Sequence, residues 1–305
     1  MKEFYSHGKL LLTGEYLVLD GTLALAVPTR PGQWLRVRDS ESPGLFWKSL
    51  LPDGTPWFEA HYPEGTLAGS RVSGPFPSAT RERLRYFLLK CLEMNPGFAD
   101  ALRHTEVETL LEFPRDWGLG SSSTLVANLA QWAGIDPYAL LGATMGGSGY
   151  DIAAAGSETP IYYRLEAGLP KVEEAPFDPP FFRELFFVYL NEKQDSREGI
   201  SRYRTRHFDK AAALQKASGL TRQLAQAQKL EDFREAMDAH EGLIGEILGL
   251  DPVKKRNFPD YPGSIKSLGA WGGDFIMATG DASNQDYFRK RGYSVIRPYR
   301  DLILA

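Results

Sequence analysis

The stretch Gly118-Leu119-Gly120-Ser121-Ser122-Ser123-Thr124 joins a predicted strand to a predicted helix and decides the fold. Before it, residues 106–113 alternate between apolar side chains and mostly glutamates, which is typical of a half-buried strand. After it, Leu125, Leu129 and Trp132 recur at helical spacing. Glycines let the backbone approach a ligand closely, and the amides at a helix N-terminus attract anions. The unit predicts a phosphate site, with a serine that only caps the helix as an equally good interpretation.

The elements around this loop mix helices and strands. Hydrophobic periods predict helices at 80–93, within 209–248 and at 284–291, and strands at 185–190, 274–279 and 293–297. Asp20-Gly21, between two apolar runs, predicts a tight hairpin whose first strand holds Lys9 and Glu15. The proline-rich residues 175–180 are the predicted linker. The second half therefore predicts an α+β sandwich.

The composition is that of an ordinary globular protein. The 305 residues include 35 Lys+Arg and 39 Asp+Glu, with a net charge of −4, and 43% are hydrophobic. A nucleic-acid binder would carry a basic excess, and a membrane helix would need about 18 consecutive apolar residues, so neither partner is expected. The start of the sequence lacks a signal-peptide pattern, and the single cysteine, Cys91, cannot form an internal disulfide. A cytoplasmic location is expected.

Three further segments carry residues suited to chemistry. Gly8-Lys9 opens the first strand, and residues 147–155 place Asp151 between a glycine turn and a run of small residues. Residues 266–274 form a second glycine-rich segment, called here the late glycine cluster. Each also has a structural interpretation, namely an exposed lysine, a helix cap and a tight turn. The five histidines lack metal-ligand spacing and are interpreted as surface or structural residues: His7, His61, His104, His207 and His240.

In this order the segments resemble the GHMP kinases, a superfamily that includes galactokinase, homoserine kinase, mevalonate kinase and phosphomevalonate kinase. All three family motifs are present in family order across residues 8–274. The sequences of these motifs are most similar to those of the phosphomevalonate kinase type. The segments that carry the resemblance are Gly-Lys-Leu-Leu-Leu-Thr-Gly-Glu-Tyr (8–16), Asp-Trp-Gly-Leu-Gly-Ser-Ser (116–122), Gly-Ser-Gly-Tyr-Asp-Ile-Ala-Ala (147–154) and Gly-Ala-Trp-Gly-Gly-Asp (269–274).

The resemblance implies a two-domain α+β fold. An N-terminal ATP-binding α/β domain with a left-handed-crossover-type phosphate loop would cover residues 1–175. A C-terminal ferredoxin-like α+β sandwich would cover residues 181–305. ATP and the acceptor would bind in the cleft between these two domains.

The resemblance also implies roles for individual residues. Lys9 and Asp151 would be the catalytic pair, and Ser122 would face the magnesium ion. The residues that would wrap the ATP phosphates are Gly118, Leu119, Gly120, Ser121, Ser122 and Ser123. The cleft wall near the transferred phosphate would be formed by Gly269, Ala270, Gly272 and Gly273.

The implied activity is transfer of the γ-phosphoryl group of ATP, with Mg²⁺, to a small anionic metabolite, phosphomevalonate before mevalonate. A phosphate-ester acceptor is largely ionised at neutral pH and needs cations around it. The predicted acceptor ligands are Glu15 together with Lys193 and Arg197 of the basic segment 191–206. An exposed, solvated surface is an equally good interpretation of that basic segment. An alcohol acceptor, as in a mevalonate or sugar kinase, would instead need Asp151 as base. A catalytically silent nucleotide or metabolite sensor is the third hypothesis.

Two departures from the family pattern bear on these hypotheses. Mevalonate kinases place a magnesium-binding glutamate shortly before the aspartate segment, and residues 140–147 contain none. The sequence therefore predicts an incomplete metal shell, which gives the sensor hypothesis some support. Trp271 stands where the family has a small residue, which predicts a narrower cleft.

Overall fold

The structure is a computed structural model that describes residues 1–67, 75–192, 196–269, 271 and 273–304, with the backbone alone at 196–197. The strands are β1 (Lys2–Thr13), β2 (Ala24–Asp39), β3 (Leu45–Leu50), β4 (Pro56–Tyr62), β5 (Thr105–Leu111), β6 (Ile161–Glu166), β7 (Leu169–Glu174), β8 (Leu185–Tyr189), β9 (Ile265–Ser267), β10 (Phe275–Thr279) and β11 (Ile296–Pro298). The helices are α1 (Thr80–Met94), α2 (Ser121–Ala133), α3 (Pro137–Gly142), α4 (Tyr150–Ala155), α5 (Ser196–Thr205), α6 (Lys210–Gln226), α7 (Leu230–Leu248), α8 (Val253–Asn257), α9 (Ala282–Arg289) and α10 (Tyr299–Leu302). Within these described ranges, none of the helices is long and apolar enough to cross a membrane.

The chain forms two compact units, and each unit is assembled from separate stretches. The first consists of Met1–Gly8, Pro31–Arg115 and Gly120–Gly156, and the second of Lys9–Arg30, Asp116–Leu119 and Ser157–Ala305. Strands β1 and β2 therefore contribute residues to both units. The bounds of these units differ from the predicted domain boundaries, which are 1–175 and 181–305. That division into domains stays a prediction.

The first unit is built on a mixed sheet. In it β5 pairs antiparallel with the second part of β2 and parallel with β3, and β3 pairs antiparallel with β4. Parallel pairing needs a long connection, and β4 and α1 lie in the chain between β3 and β5. Apolar side chains of α1 and α2, including Leu88 and Leu129, pack into the core of this unit. The predicted helix at 80–93 and strand at 106–113 are confirmed to within two residues at each end.

The second unit contains a four-stranded sheet in the order β11-β8-β10-β9, and its pairings are antiparallel. Along the chain these strands and their helices follow the order β-α-β-β-α-β, which is the ferredoxin-like arrangement. The predicted C-terminal sandwich is thus confirmed. The helical region at 209–248 is two helices, because the backbone is extended at Ala227. The predicted last strand is shorter and shifted to β11.

The tight hairpin predicted at Asp20-Gly21 is wrong. A type I′ turn needs a positive φ at both central residues, but Asp20 ends a 3₁₀ turn and only Gly21 is left-handed, with φ 91°. The chain already leaves β1 at Gly14, whose φ is 86° and whose missing side chain leaves room for Ala24. Glu15 therefore lies beyond the strand and not within it.

Candidate functional site

The N-terminus of α2 has the properties of an anion site. Its N-cap residue, Gly120, has φ 90°, a conformation that glycine adopts readily, and among the described residues no side chain caps this end of the helix. Ser121 is partly buried and Ser122 is exposed. The first-turn amides of a helix have no partner within the helix and carry a partial positive charge. This end of the 13-residue helix therefore favours a phosphate group.

A buried polar network holds α2 within the first unit. Thr124 Oγ1 donates to Gln33 Oε1 at 2.6 Å, and Asn128 Nδ2 donates to the Gln33 carbonyl at 2.8 Å. Ser6 Oγ donates to Asn128 Oδ1 at 2.8 Å. All four side chains are buried. Loss of one such partner costs about 1–3 kcal/mol, so the network fixes where the glycine-serine loop meets the helix.

Ser123 is bonded to the predicted catalytic carboxylate. Its hydroxyl, buried on the first turn of α2, donates to Asp151 Oδ2. Asp151 is the second residue of α4, whose N-cap is the left-handed Gly149, and α4 packs against α2. The sequence assigned Ser123 to the ATP phosphates. The hydroxyl of Ser123 is engaged with Asp151, and its assignment to the ATP phosphates stays a prediction.

In the second unit, Lys9 and Asp274 both lie against Gly118. Lys9 Nζ donates to the Gly118 carbonyl at 3.0 Å, and the Lys9 backbone N–H donates to the Leu119 carbonyl at 3.0 Å. A Cβ added to Gly118, whose φ is 66°, would clash with the Asp274 carboxylate. The structure thus brings three segments together here: the first strand, the glycine-serine loop and the late glycine cluster.

Glu15 lies in the interior of the second unit. Its side chain has 0% exposure, and its Oε1 accepts a hydrogen bond from Lys266 Nζ. Burial raises the pKa of Glu15 to about 7, against the opposing effect of Lys266. Burial, and then the charge of Lys266, holds the pKa of the neighbouring His240 well below its usual value. The Glu15 carboxylate is enclosed by Lys266 and His240, and its predicted acceptor-binding role stays a prediction.

Trp271 turns into the core of the second unit. Its side chain is buried in a cluster with Tyr16, Ile244 and Leu248, and its Nε1 donates to Glu241 Oε2 at 3.2 Å. The prediction that Trp271 narrows a cleft is therefore wrong, because the indole faces inward. Of the predicted cleft wall, Gly269 has φ 64° and Gly273 is buried, whereas Ala270 and Gly272 lie outside the described residues.

The basic segment 191–206 is described only in part. Lys193 lies outside the described residues, as does the side chain of Arg197, so their acceptor-binding role stays a prediction. Arg206 Nε donates to the Ile247 carbonyl at 3.0 Å, which is a structural contact with α7. Arg202 and Arg204 are exposed on α5.

The oxygen donors present suit magnesium that arrives with a nucleotide. In the part of the chain that the structure describes, no group of three or more His, Cys, Asp or Glu side chains could hold a metal ion. Nucleotide-bound Mg²⁺ needs only one or two carboxylates, because waters and phosphate oxygens fill its octahedron. The exposed Ser122 hydroxyl and the partly buried Asp151 carboxylate are ligands of the required type.

Neither a family model nor a curated protein matches the sequence. Solved structures do resemble it over nearly its whole length. Streptococcus pneumoniae phosphomevalonate kinase in complex with phosphomevalonate and AMPPNP has a TM-score of 0.70 at 18% identity, with 97% of this chain and 99% of that chain covered. Methanococcus jannaschii mevalonate kinase has a TM-score of 0.69 at 13% identity, with coverages of 97% and 98%. Lactococcus lactis galactokinase complexed with galactose has a TM-score of 0.66 at 16% identity, with coverages of 95% and 88%.

These three proteins are GHMP kinases, and the chain has the GHMP kinase fold. The two-domain α+β fold that the order of the motifs predicts is thereby confirmed. At identities below 20%, structural similarity establishes only the architecture. The activity has to be argued from the residues of the site.

Proposed function

We propose that this chain is an ATP-dependent kinase of the GHMP type that phosphorylates a small anionic metabolite, phosphomevalonate before mevalonate. The observation that carries the proposal is the uncapped N-terminus of α2, which follows a loop with positive φ at Gly118 and Gly120. Such an end favours phosphate groups. The likeness to a phosphomevalonate kinase solved with phosphomevalonate and AMPPNP supports both the nucleotide and the acceptor.

In this proposal the loop residues 118–123 bind the nucleotide phosphates through backbone amides and the hydroxyls of Ser121 and Ser122. Phosphoryl transfer depends mainly on positioning and on charge neutralisation. Lys9, whose ammonium group lies at Gly118, supplies a cation at this loop. Bound Mg²⁺ would neutralise phosphate charge, with Ser122 as its ligand from the chain. Lys193 and Arg197 remain the proposed acceptor ligands, and the cytoplasm remains the proposed location.

A kinase for an alcohol, such as mevalonate or a sugar, is the second candidate. The hydrogen bond from Ser123 to Asp151 favours it, because a general base must be held in one orientation. The acceptor hydroxyl would pass its proton to Asp151 while its oxygen bonds to the γ-phosphorus. The bond from that phosphorus to the bridging oxygen would break and release ADP. The mevalonate kinase and galactokinase likenesses are equally consistent with this acceptor class.

The test is an acceptor panel with the purified 305-residue chain and Mg-ATP. ADP release is followed with phosphomevalonate, mevalonate, galactose and homoserine, with EDTA as the control that should abolish turnover. The highest kcat/KM with phosphomevalonate supports the first candidate, and the highest with an alcohol supports the second. Nucleotide binding in calorimetry without ADP release for any acceptor would contradict both and favour the sensor.

A further inference from the structure

We infer that Glu241 is a positioning residue that holds the late glycine cluster and, through it, the glycine-serine loop at Gly118. The inference rests on the proposed function, because that loop is the proposed nucleotide site. It adds a residue that lies in none of the motif segments.

Glu241, on α7, receives hydrogen bonds from two residues of the late glycine cluster. Its Oε1 accepts from Ser267 Oγ at 2.6 Å. Its Oε2 accepts from the Ser267 backbone N–H at 3.1 Å and from Trp271 Nε1 at 3.2 Å. The carboxylate is 3% exposed. The buried side chain of Glu241 thus holds the backbone at Ser267, before Gly269, and the side chain of Trp271, after it.

The backbone that Glu241 holds is strained. Trp271 has φ 47° and Asp274 has φ 50°, although both are L-residues that seldom adopt a left-handed conformation. Such conformations persist only where the surroundings impose them. For Trp271 the surroundings are the buried indole ring and its hydrogen bond to Glu241.

The same helix also holds the turn after β1. Gly14 N–H donates to His240 Nε2 at 3.0 Å, so the proton of the neutral ring is on Nδ1, 3.6 Å from Glu15 Oε2. Lys266 Nζ donates to the other oxygen of Glu15 and lies 3.7 Å from Glu241 Oε2. Adjacent residues of α7 therefore bind the segment that contains Lys9 and the late glycine cluster.

The late glycine cluster in turn confines the glycine-serine loop. Asp274 fills the space beside Gly118, and Lys9 Nζ donates to the Gly118 carbonyl. If the cluster shifts, Gly118 loses this support. Small errors in positioning cost large factors in rate, since a misplacement of about 1 Å can lower it on the order of 10²-fold.

The test uses Glu241→Gln, which keeps the size of the side chain and removes its charge and one acceptor. We expect the Kd for Mg-ADP and the KM for ATP to rise about fivefold and kcat to fall about tenfold, because the loop is no longer held in one position. Trp271→Phe keeps most of the buried ring but removes its donor, so it should change both parameters less and in the same direction. The double variant should lose less than the sum of the two single losses, since both residues act in the same hydrogen-bond network. Glu235→Gln, exposed on the same helix, is the matched control.

Thermal unfolding of each variant separates positioning from stability. A lowered Tm with unchanged Kd, KM and kcat below the transition would overturn the inference, because a purely structural residue behaves in that way. Losses in the double variant that simply add would also overturn it. If Glu241→Gln does not fold, Trp271→Phe decides the matter alone, since it leaves every charge of the network in place. A wild-type chain that binds no Mg-ADP in calorimetry would refute the proposed function itself.

Discussion

The hydroxyl of Ser123 and the carboxylate of Asp151 form a hydrogen bond that joins the first turns of α2 and α4. The glycine-serine loop and the aspartate segment are thus connected by side chains within the first unit, although 28 positions separate the two residues. The Ser123 hydroxyl has one proton, and while it donates that proton to Asp151 it has none to donate to a phosphate oxygen. The two roles make different predictions for the same substitution.

Ser123→Ala should lower kcat about tenfold and leave the KM for ATP nearly unchanged, because the backbone amide stays and only the orientation of Asp151 is lost. Asp151→Asn should cost about 10²–10⁴ in kcat if the acceptor is an alcohol, and less for a phosphate ester. In steady-state kinetics the double variant should be no slower than Asp151→Asn. Additive losses, or a raised KM for ATP, would return Ser123 to the phosphate-binding role that the sequence predicts.

Lys9→Met should lower kcat strongly, by about 10² or more, since it removes a cation at the loop and the bond to the Gly118 carbonyl. For a phosphate-ester acceptor this loss should exceed that of Asp151→Asn, and for an alcohol the order should reverse. Turnover with the best acceptor is the measurement. Lys48→Met, an exposed lysine on β3, is the control. Near-normal turnover in both Lys9→Met and Asp151→Asn would contradict the proposed mechanism.

Glu15→Gln should change how stability depends on pH. Between the unfolded pKa of 4.5 and the folded pKa of about 7, folded Glu15 binds more proton than the unfolded chain, so its contribution to the unfolding free energy falls as pH rises. His240 acts oppositely: its folded pKa lies well below 6.5, so its contribution grows as pH rises toward 6.5. In Glu15→Gln the unfolding free energy should therefore rise more steeply with pH than in the wild type, between about pH 5 and pH 7.

Urea unfolding at a series of pH values measures this difference between wild type and Glu15→Gln. If the two stability curves run parallel across that range, the pKa of Glu15 is not raised in the folded protein.

Asn128→Leu should destabilise the protein, because it breaks the buried network that holds α2. It leaves the buried Ser6 hydroxyl and the Gln33 carbonyl without their partner, and each such loss costs about 1–3 kcal/mol. Chemical denaturation measures the change, with Gln131→Ala, an exposed residue on the same helix, as the control. Equal stability of the two variants would show that the network does not hold α2.

The sequence predicts the elements whose signal is local. The glycine-serine loop between a strand and a helix, and the alternation of helices and strands toward the C-terminus, follow from periodicity and turn residues. The hairpin at Asp20-Gly21 failed although the dipeptide is a strong signal, because Gly14 ends the strand earlier.

The pairing of distant side chains could not be predicted in the same way. Glu15 and Lys266 are 251 positions apart, and nothing in either segment identifies the other. A signal for Glu241 did exist, since it falls on the apolar stripe of α7 between Met237 and Ile244, where a carboxylate needs buried donors. The motif gives the position of Trp271 in the sequence but not the direction of its side chain, which points into the core of the second unit.

The interleaving of the two compact units affects how the protein can be divided. The chain passes between them five times, at 8/9, 30/31, 115/116, 119/120 and 156/157. A single cut in the backbone therefore cannot release either unit intact, and a fragment that ends at residue 175 would keep residues 9–30 and 116–119 without most of the unit to which they belong.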